Sequence, residues 1–190
     1  MNNIPHLMAA ALVATALSFA LPGAAENAAG ELPRADVKFL QKAAVDGLAE
    51  VELARLAQHK AMRDEVRQFA NRMVDDHSKA NEQLKAIASS HGVQVPAAID
   101  RRHEREMNKL SQLIGGDFDR AYMSRMLSEH RKDVKEFRKR ANAKKQDDVT
   151  RFAAATLPVL ESHLDMARAT YDIAQDPKRY GNRQAGSTKP

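Results

Sequence analysis

Apolar side chains recur every three or four residues along four stretches of roughly 25 residues each, a period that long amphipathic helices satisfy and strands do not. The first stripe is Leu40, Ala43, Ala44, Gly47, Val51 and Ala54, on a helix expected from Asp36 to about His59. The second is Val66, Ala70, Met73, His77, Ala80, Leu84 and Ala88. The third is Phe118, Tyr122, Met126, His130, Val134, Phe137 and Ala141. The fourth is Val149, Phe152, Ala153, Thr156, Leu160, His163, Ala167 and Thr170. With 8 Gly and 7 Pro in 190 residues, the chain has too few tight-turn residues for an all-β fold or a Gly-rich phosphate loop.

The breaks between stripes set the topology. No Gly or Pro separates the first two, so one unbroken rod competes with a hairpin. The phase decides: at ~100° per residue the second stripe is rotated about a quarter turn from the first, and a straight rod cannot present both to one core. A tight turn near Ala61–Asp64 follows, with Asp64 as the cap of the second helix and Asp36 as the cap of the first. His91-Gly92 and Pro96 end the second helix. Residues 97–114 read as a short polar helix, closed by Gly115-Gly116. Asp117 is the expected cap of the third long helix, Arg138–Gln146 its closing turn, and Asp147 the start of a fourth that runs to Ala174. Pro158 lies inside that last helix and removes one of its hydrogen bonds. Two helical hairpins joined by about 25 residues give an all-α, ferritin-like four-helix bundle with one long crossover containing a short helix.

The ends differ from the middle. Leu7 to Leu21 is an uncharged run followed by Gly23-Ala24-Ala25, the pattern of a secretory signal cut after Ala25. It is short for a membrane span, which needs ~20 apolar residues. Residues 26–35 read as a flexible leader, 36–174 as the bundle domain and 175–190 as a disordered basic tail. Export places the chain in the periplasm or outside the cell. Zero Cys excludes disulfide scaffolds, Cys-ligated zinc, iron–sulfur clusters and thiol nucleophiles.

Three of the seven His interrupt apolar stripes: His77, His130 and His163, one on each of helices two, three and four. His59, His91 and His103 fall at helix ends or on a polar face and are expected to be solvated. A buried imidazole costs a few kcal/mol unless it is bonded or ligated. At ~1.5 Å per residue the three inward His lie ~22–27 Å from a bundle end, at matching heights. Glu50 is the corresponding group on helix one. Together Glu50, His77, His130 and His163 form a candidate metal set for one Zn or Cu ion, with Fe less suited. Met73, Met126 and Met166 each stand one turn from one of these His and offer soft thioethers, although Met also serves as core filler. Asp76, Glu129 and Glu161 are candidates to orient the rings from outside. No Glu-x-x-His occurs, which disfavours a di-iron oxidase, and no catalytic constellation is evident.

Several segments resemble the exported bacterial family called domain of unknown function 4142. They are Glu50-Val51-Glu52-Leu53-Ala54, Phe69-Ala70-Asn71-Arg72-Met73-Val74-Asp75-Asp76-His77, Phe118-Asp119-Arg120-Ala121-Tyr122-Met123, Glu129-His130, and Leu157-Pro158-Val159-Leu160-Glu161-Ser162-His163-Leu164. The resemblance spans roughly residues 36–173. It implies a ferritin-like bundle in the cell envelope and no defined activity.

Charge adds a surface to this reading. The chain carries a net +5. Arg131, Lys132, Lys135, Arg138, Lys139, Arg140, Lys144 and Lys145 crowd one segment against Asp133 and Glu136. Such an end suits anionic lipid or lipopolysaccharide. Nucleic acid does not fit an exported chain with 5% aromatic residues. The expected function is a periplasmic metal-binding bundle, or alternatively a non-enzymatic envelope protein with a buried His network and a basic surface.

Overall fold

A computed structural model describes residues 32–176; the expected signal, most of the expected leader and nearly all of the expected tail lie outside the described residues. The described residues form five helices: α1 Arg34–Lys60, α2 Asp64–Ser90, α3 Arg101–Ser111, α4 Gly115–Ala141 and α5 Asp148–Gln175. The four long ones have 27 or 28 residues, hence about 40 Å each. The Leu40 and Val66 stripes share one core across a turn at residues 61–63, so the quarter-turn phase difference identified a hairpin correctly.

The direction of each helix follows from bonds at the two ends. Asp119, early in α4, accepts the main-chain N–H of Met62 and of Arg63, each at 3.0 Å. Arg63 Nη2 donates to the carbonyl of Asp176, just past α5. The start of α4 and the end of α5 therefore sit beside the α1–α2 turn. At the other end Gln41 donates to the carbonyl of Gln94, and His91 meets Asp148. The order is up, down, down, up, and the crossover with α3 climbs the full length of the bundle. α1 packs on α2 and α4, and α5 packs on α4 and α2.

Three expected caps are displaced. α1 starts at Arg34 behind Pro33, whose carbonyl takes the N–H of Asp36 and Val37. Asp36 instead sits in the first turn and meets Arg140 Nε at 3.0 Å. Asp64 is the first residue of α2 rather than its cap, because Asp119 satisfies the turn from another helix. α4 begins at Gly115 with Asp117 in its first turn. Gly115 adopts φ +56°, a conformation glycine takes without strain, so the helix starts at the glycines instead of after them. Asp147 does cap α5, accepting the Thr150 N–H at 2.8 Å, and Asp100 caps α3 through the His103 N–H. α3 is shorter than the expected span of 97–114. α5 runs without interruption through Pro158.

Aromatic layers close the core above and below a polar middle. Phe69, Phe118 and Tyr122 form the layer near the α1–α2 turn, with Phe118 and Tyr122 stacked at 6.0 Å. Phe39, Phe137 and Phe152 form the other, at 5.1 and 6.0 Å. Phe39 is partly buried; each of the buried ones stabilises by about 1.5–3 kcal/mol, enough to carry a polar layer between them. In that layer α1 and α2 come close: a Cβ on Gly47 would stand 2.3 Å from Asn81 Oδ1. Gly47 thus lets Glu50, one turn on, face His77 on α2. Among the described residues no helix is long and apolar enough to cross a membrane.

Candidate metal centre

The middle layer gathers one ring from each of α2, α4 and α5. His77, His130 and His163 are 6%, 0% and 1% exposed. Their centroids lie 5.5 Å (His77–His130), 5.2 Å (His77–His163) and 5.4 Å (His130–His163) apart. One nitrogen of each ring lies within 4.8 Å of one nitrogen of each other ring. A tetrahedral ion with Zn–N bonds of ~2.0–2.1 Å would draw such nitrogens to roughly 3.3 Å, a contraction that side-chain rotation supplies.

Each ring divides its two nitrogens in the same way. His77 Nδ1 faces Glu50 Oε2 at 3.1 Å, leaving Nε2 without a partner. His130 Nδ1 donates to the main-chain carbonyl of Met126 at 3.0 Å, leaving Nε2. His163 Nε2 donates to Asp76 Oδ2 at 2.9 Å, leaving Nδ1. The engaged nitrogen carries the proton, so the unpartnered one carries a lone pair. A His that ligates a metal shows this pattern, its far N–H held by a carboxylate or carbonyl.

Electrostatics favour the neutral rings. Burial, then the neighbouring imidazoles, push His77 well below its usual range. Burial lowers His130 too, against opposing pulls from Asp133, the Met126 carbonyl and Glu129. Burial takes His163 down to about 4 despite Asp76. Burial alone would raise Asp76, but its bonds from His163 and Arg72 outweigh that and hold it low. Burial, then Asp46 and Glu129, push Glu50 up to about 8. Burial and Glu50 push Asp133 well above the carboxylate range. Neutral imidazole is the form that binds a metal.

The structure thus assembles His77, His130 and His163, with Glu50 and Asp76 outside them. Glu50, expected among the ligands, is bonded to the outer nitrogen of His77. Glu129 and Glu161, expected as possible orienting groups, are held elsewhere: Glu129 by Lys132 at 2.9 Å and Arg125 at 3.4 Å, Glu161 by Arg138 at 2.5 Å. Met73 and Met126 are fully buried, and Met166 packs against the core. Met126 serves the site through its main chain.

Asp133 went unread as a site residue because it sits in the basic run, where it counted only as a counter-charge. Its spacing was the available signal: it lies three residues after His130, on the same face, and is 7% exposed. Asp46, four residues before Glu50, also went unread. His59 is exposed as expected, but His91 and His103 are not solvated. The His91 side chain is 8% exposed against Asp148 at 2.7 Å, and His103 is 3% exposed between Asp100 and Asp46. His91 is turned toward the start of α5, and His103, on the crossover helix, toward α1. Arg140 also leaves the basic surface: its side chain is 10% exposed and reaches Asp36, Asp147 and Thr150, joining α1, α4 and α5. Lys132 and Arg138 stay exposed but are paired with Glu129 and Glu161.

No curated protein matches the chain. Among solved structures, a DUF305 fragment from Deinococcus radiodurans is similar with a TM-score of 0.66 at 17% identity, covering 75% of this chain and 98% of that one. That likeness shows a shared fold. A family model described as a domain of unknown function, DUF4142, matches residues 21–170, and the chain belongs to that family.

Proposed function

We propose that this protein is an exported metal-binding bundle that holds one transition metal ion on His77, His130 and His163. The supporting observation is the division of ring nitrogens: one of each ring is set against Glu50, the Met126 carbonyl or Asp76, and the other has no partner. Three neutral nitrogen donors suit Zn or Cu, and leave a further coordination position for water or a ligand. Fe is less suited, because no carboxylate directly shares the three-nitrogen set. The apolar run from Leu7 and the small residues before Glu26 support export to the periplasm. The exposed Arg131, Lys135, Lys139, Lys144 and Lys145 would then face anionic envelope lipid or lipopolysaccharide.

The deciding experiment is metal analysis of protein purified from the periplasm, followed by titration of metal-free protein with Zn2+ and Cu+. One equivalent should bind and raise the melting temperature, because an ion that binds only the folded state stabilises it. His130→Ala should erase that rise. Unchanged affinity in His130→Ala, or no binding at all, would leave the histidines as a buried structural network in an envelope protein. Met73→Leu and Met126→Leu distinguish the metals: weaker Cu+ with unchanged Zn2+ would show that a thioether reaches the ion.

A further inference from the structure

The nitrogen site does not account for the carboxylates beside it. Glu50 and Asp133 are 4% and 7% exposed, and neither Glu50 Oε1 nor Asp133 Oδ2 has a hydrogen-bond partner among the described residues. One oxygen of each lies within 4.8 Å of the other. Asp46, one turn before Glu50, borders the same space. Two small cavities adjoin the three carboxylates. One, of about 30 Å³, is bounded by Asp46, Glu50 and Asp133 with apolar Ala43, Leu84 and Phe137. The other, of about 10 Å³, is bounded by the same three with His103 and Arg125. A single water needs ~10–15 Å³ by this measure, so the first has room for an ion or one to two waters and the second for one water at most.

The nearby cations are already engaged. Lys42 binds Asp46 at 2.6 Å and Glu136 at 2.9 Å. Arg125 binds Glu106 and Glu129. Arg102 reaches Glu106 at 3.5 Å and Asp46 at 3.7 Å. Among the described residues none of them reaches Asp133 or Glu50. A buried carboxylate without a cationic partner keeps a proton or takes a metal ion.

We infer that Glu50 and Asp133, with Asp46 at the edge of the same space, form a second cation site, for one hard divalent ion of the Mn2+ or Mg2+ class, adjoining the nitrogen site and chemically distinct from it. Oxygen donors completed by water select such ions, whereas imidazole selects Zn and Cu. Glu50 belongs to both neighbourhoods: Oε2 holds His77, and Oε1 is the oxygen offered to the second ion. His130 stands beside this pair, with one nitrogen within the same 4.8 Å reach and Nδ1 3.5 Å from Glu50 Oε1; its Nδ1 proton is bonded to the Met126 carbonyl, so Nδ1 offers the second ion no lone pair. The proton held by the carboxyl groups in the metal-free protein leaves to solvent as the ion binds.

Mn2+ titration of the full chain, read by the loss of the free-ion electron paramagnetic resonance signal, tests this. One Mn2+ per chain should bind to metal-free protein and equally to protein already saturated with Zn2+. Asp133→Asn should weaken Mn2+ at least tenfold and leave the zinc stoichiometry unchanged. Asp46→Asn carries the same expectation at a more exposed position, should Asp133→Asn fail to fold. His163→Ala should lose Zn2+ and keep Mn2+, so failure of the nitrogen site is told apart from failure of this one. Absence of Mn2+ binding at millimolar ion, mole-for-mole displacement by Zn2+, or wild-type Mn2+ affinity in both Asn variants would overturn the inference.

Discussion

Asp76 accepts the Nε2 proton of His163 at 2.9 Å across the interface between α2 and α5. Asp76 is also bonded to Arg72, so the carboxylate is fixed on both sides. The consequence is a fixed tautomer: His163 keeps Nδ1 unprotonated, buried and without a partner. Asp76→Ala frees the ring to rotate and to move its proton. We expect a loss of about 10–100-fold in Zn2+ affinity, the range for removing an orienting carboxylate. Competition against a chromogenic chelator measures it, and an unchanged constant would show that His163 is not a ligand.

Asp119 makes a prediction about stability alone. It is fully buried and satisfies two main-chain N–H groups of the α1–α2 turn. Bonds to a charged group contribute about 1.5–3 kcal/mol each, and truncation also strands the donors. Asp119→Ala should therefore lose about 2–4 kcal/mol in urea unfolding, without altering metal stoichiometry.

The metal-free protein should lose stability as pH rises above neutrality. Glu50 goes from an ordinary 4.5 to about 8 in the fold, so its contribution is complete below about 4.5 and is lost as pH climbs toward 8. Asp133 acts in the same direction. His163 goes from 6.5 down to about 4, so its contribution is complete above 6.5 and is lost as pH falls toward 4. Between 4.5 and 6.5 the two trends oppose; above 6.5 only the carboxyl trend remains. The melting temperature in chelator should fall from pH 6.5 to 8.5, and Glu50→Gln should flatten that fall.

The basic segment divides into two kinds of residue. Arg131, Lys135 and Lys139 are exposed. Reversing their charge should abolish binding to anionic vesicles, and wild-type binding should fall steeply with salt. Arg140 behaves differently because Asp36 and Asp147 depend on it. Arg140→Ala should cost about 3 kcal/mol of folding stability, as breaking a buried ion pair does. Vesicle flotation and thermal unfolding read the two effects separately.

The apolar period made the helices legible, and the same period exposed the inward histidines, because an imidazole on an apolar stripe breaks the pattern. Asp133 breaks no such pattern: charged neighbours surround it in sequence, and only the fold shows that it turns from them into the core. His91 and His103 were hidden for another reason. Helix-end and crossover residues are buried by whatever lies over them, and no local period encodes that. The caps at Asp36 and Asp64 misled because Pro33 and Asp119 do the same work from further away. Reading Glu50 as a holder of His77 instead of a fourth ligand beside it required knowing which ring nitrogen it meets, a distinction of one atom.

The up, down, down, up order has a consequence for how the molecule comes together. The α1–α2 hairpin supplies Glu50, Asp46 and His77, while the α4–α5 hairpin supplies His130, Asp133 and His163. Neither half owns a complete centre. Cutting the crossover near Pro96 would give two fragments, and an ion at their shared seam would act as adhesive between them. Reassembly of such a split protein should then depend on metal concentration, which turns a buried centre into a reporter of whether the two halves have met.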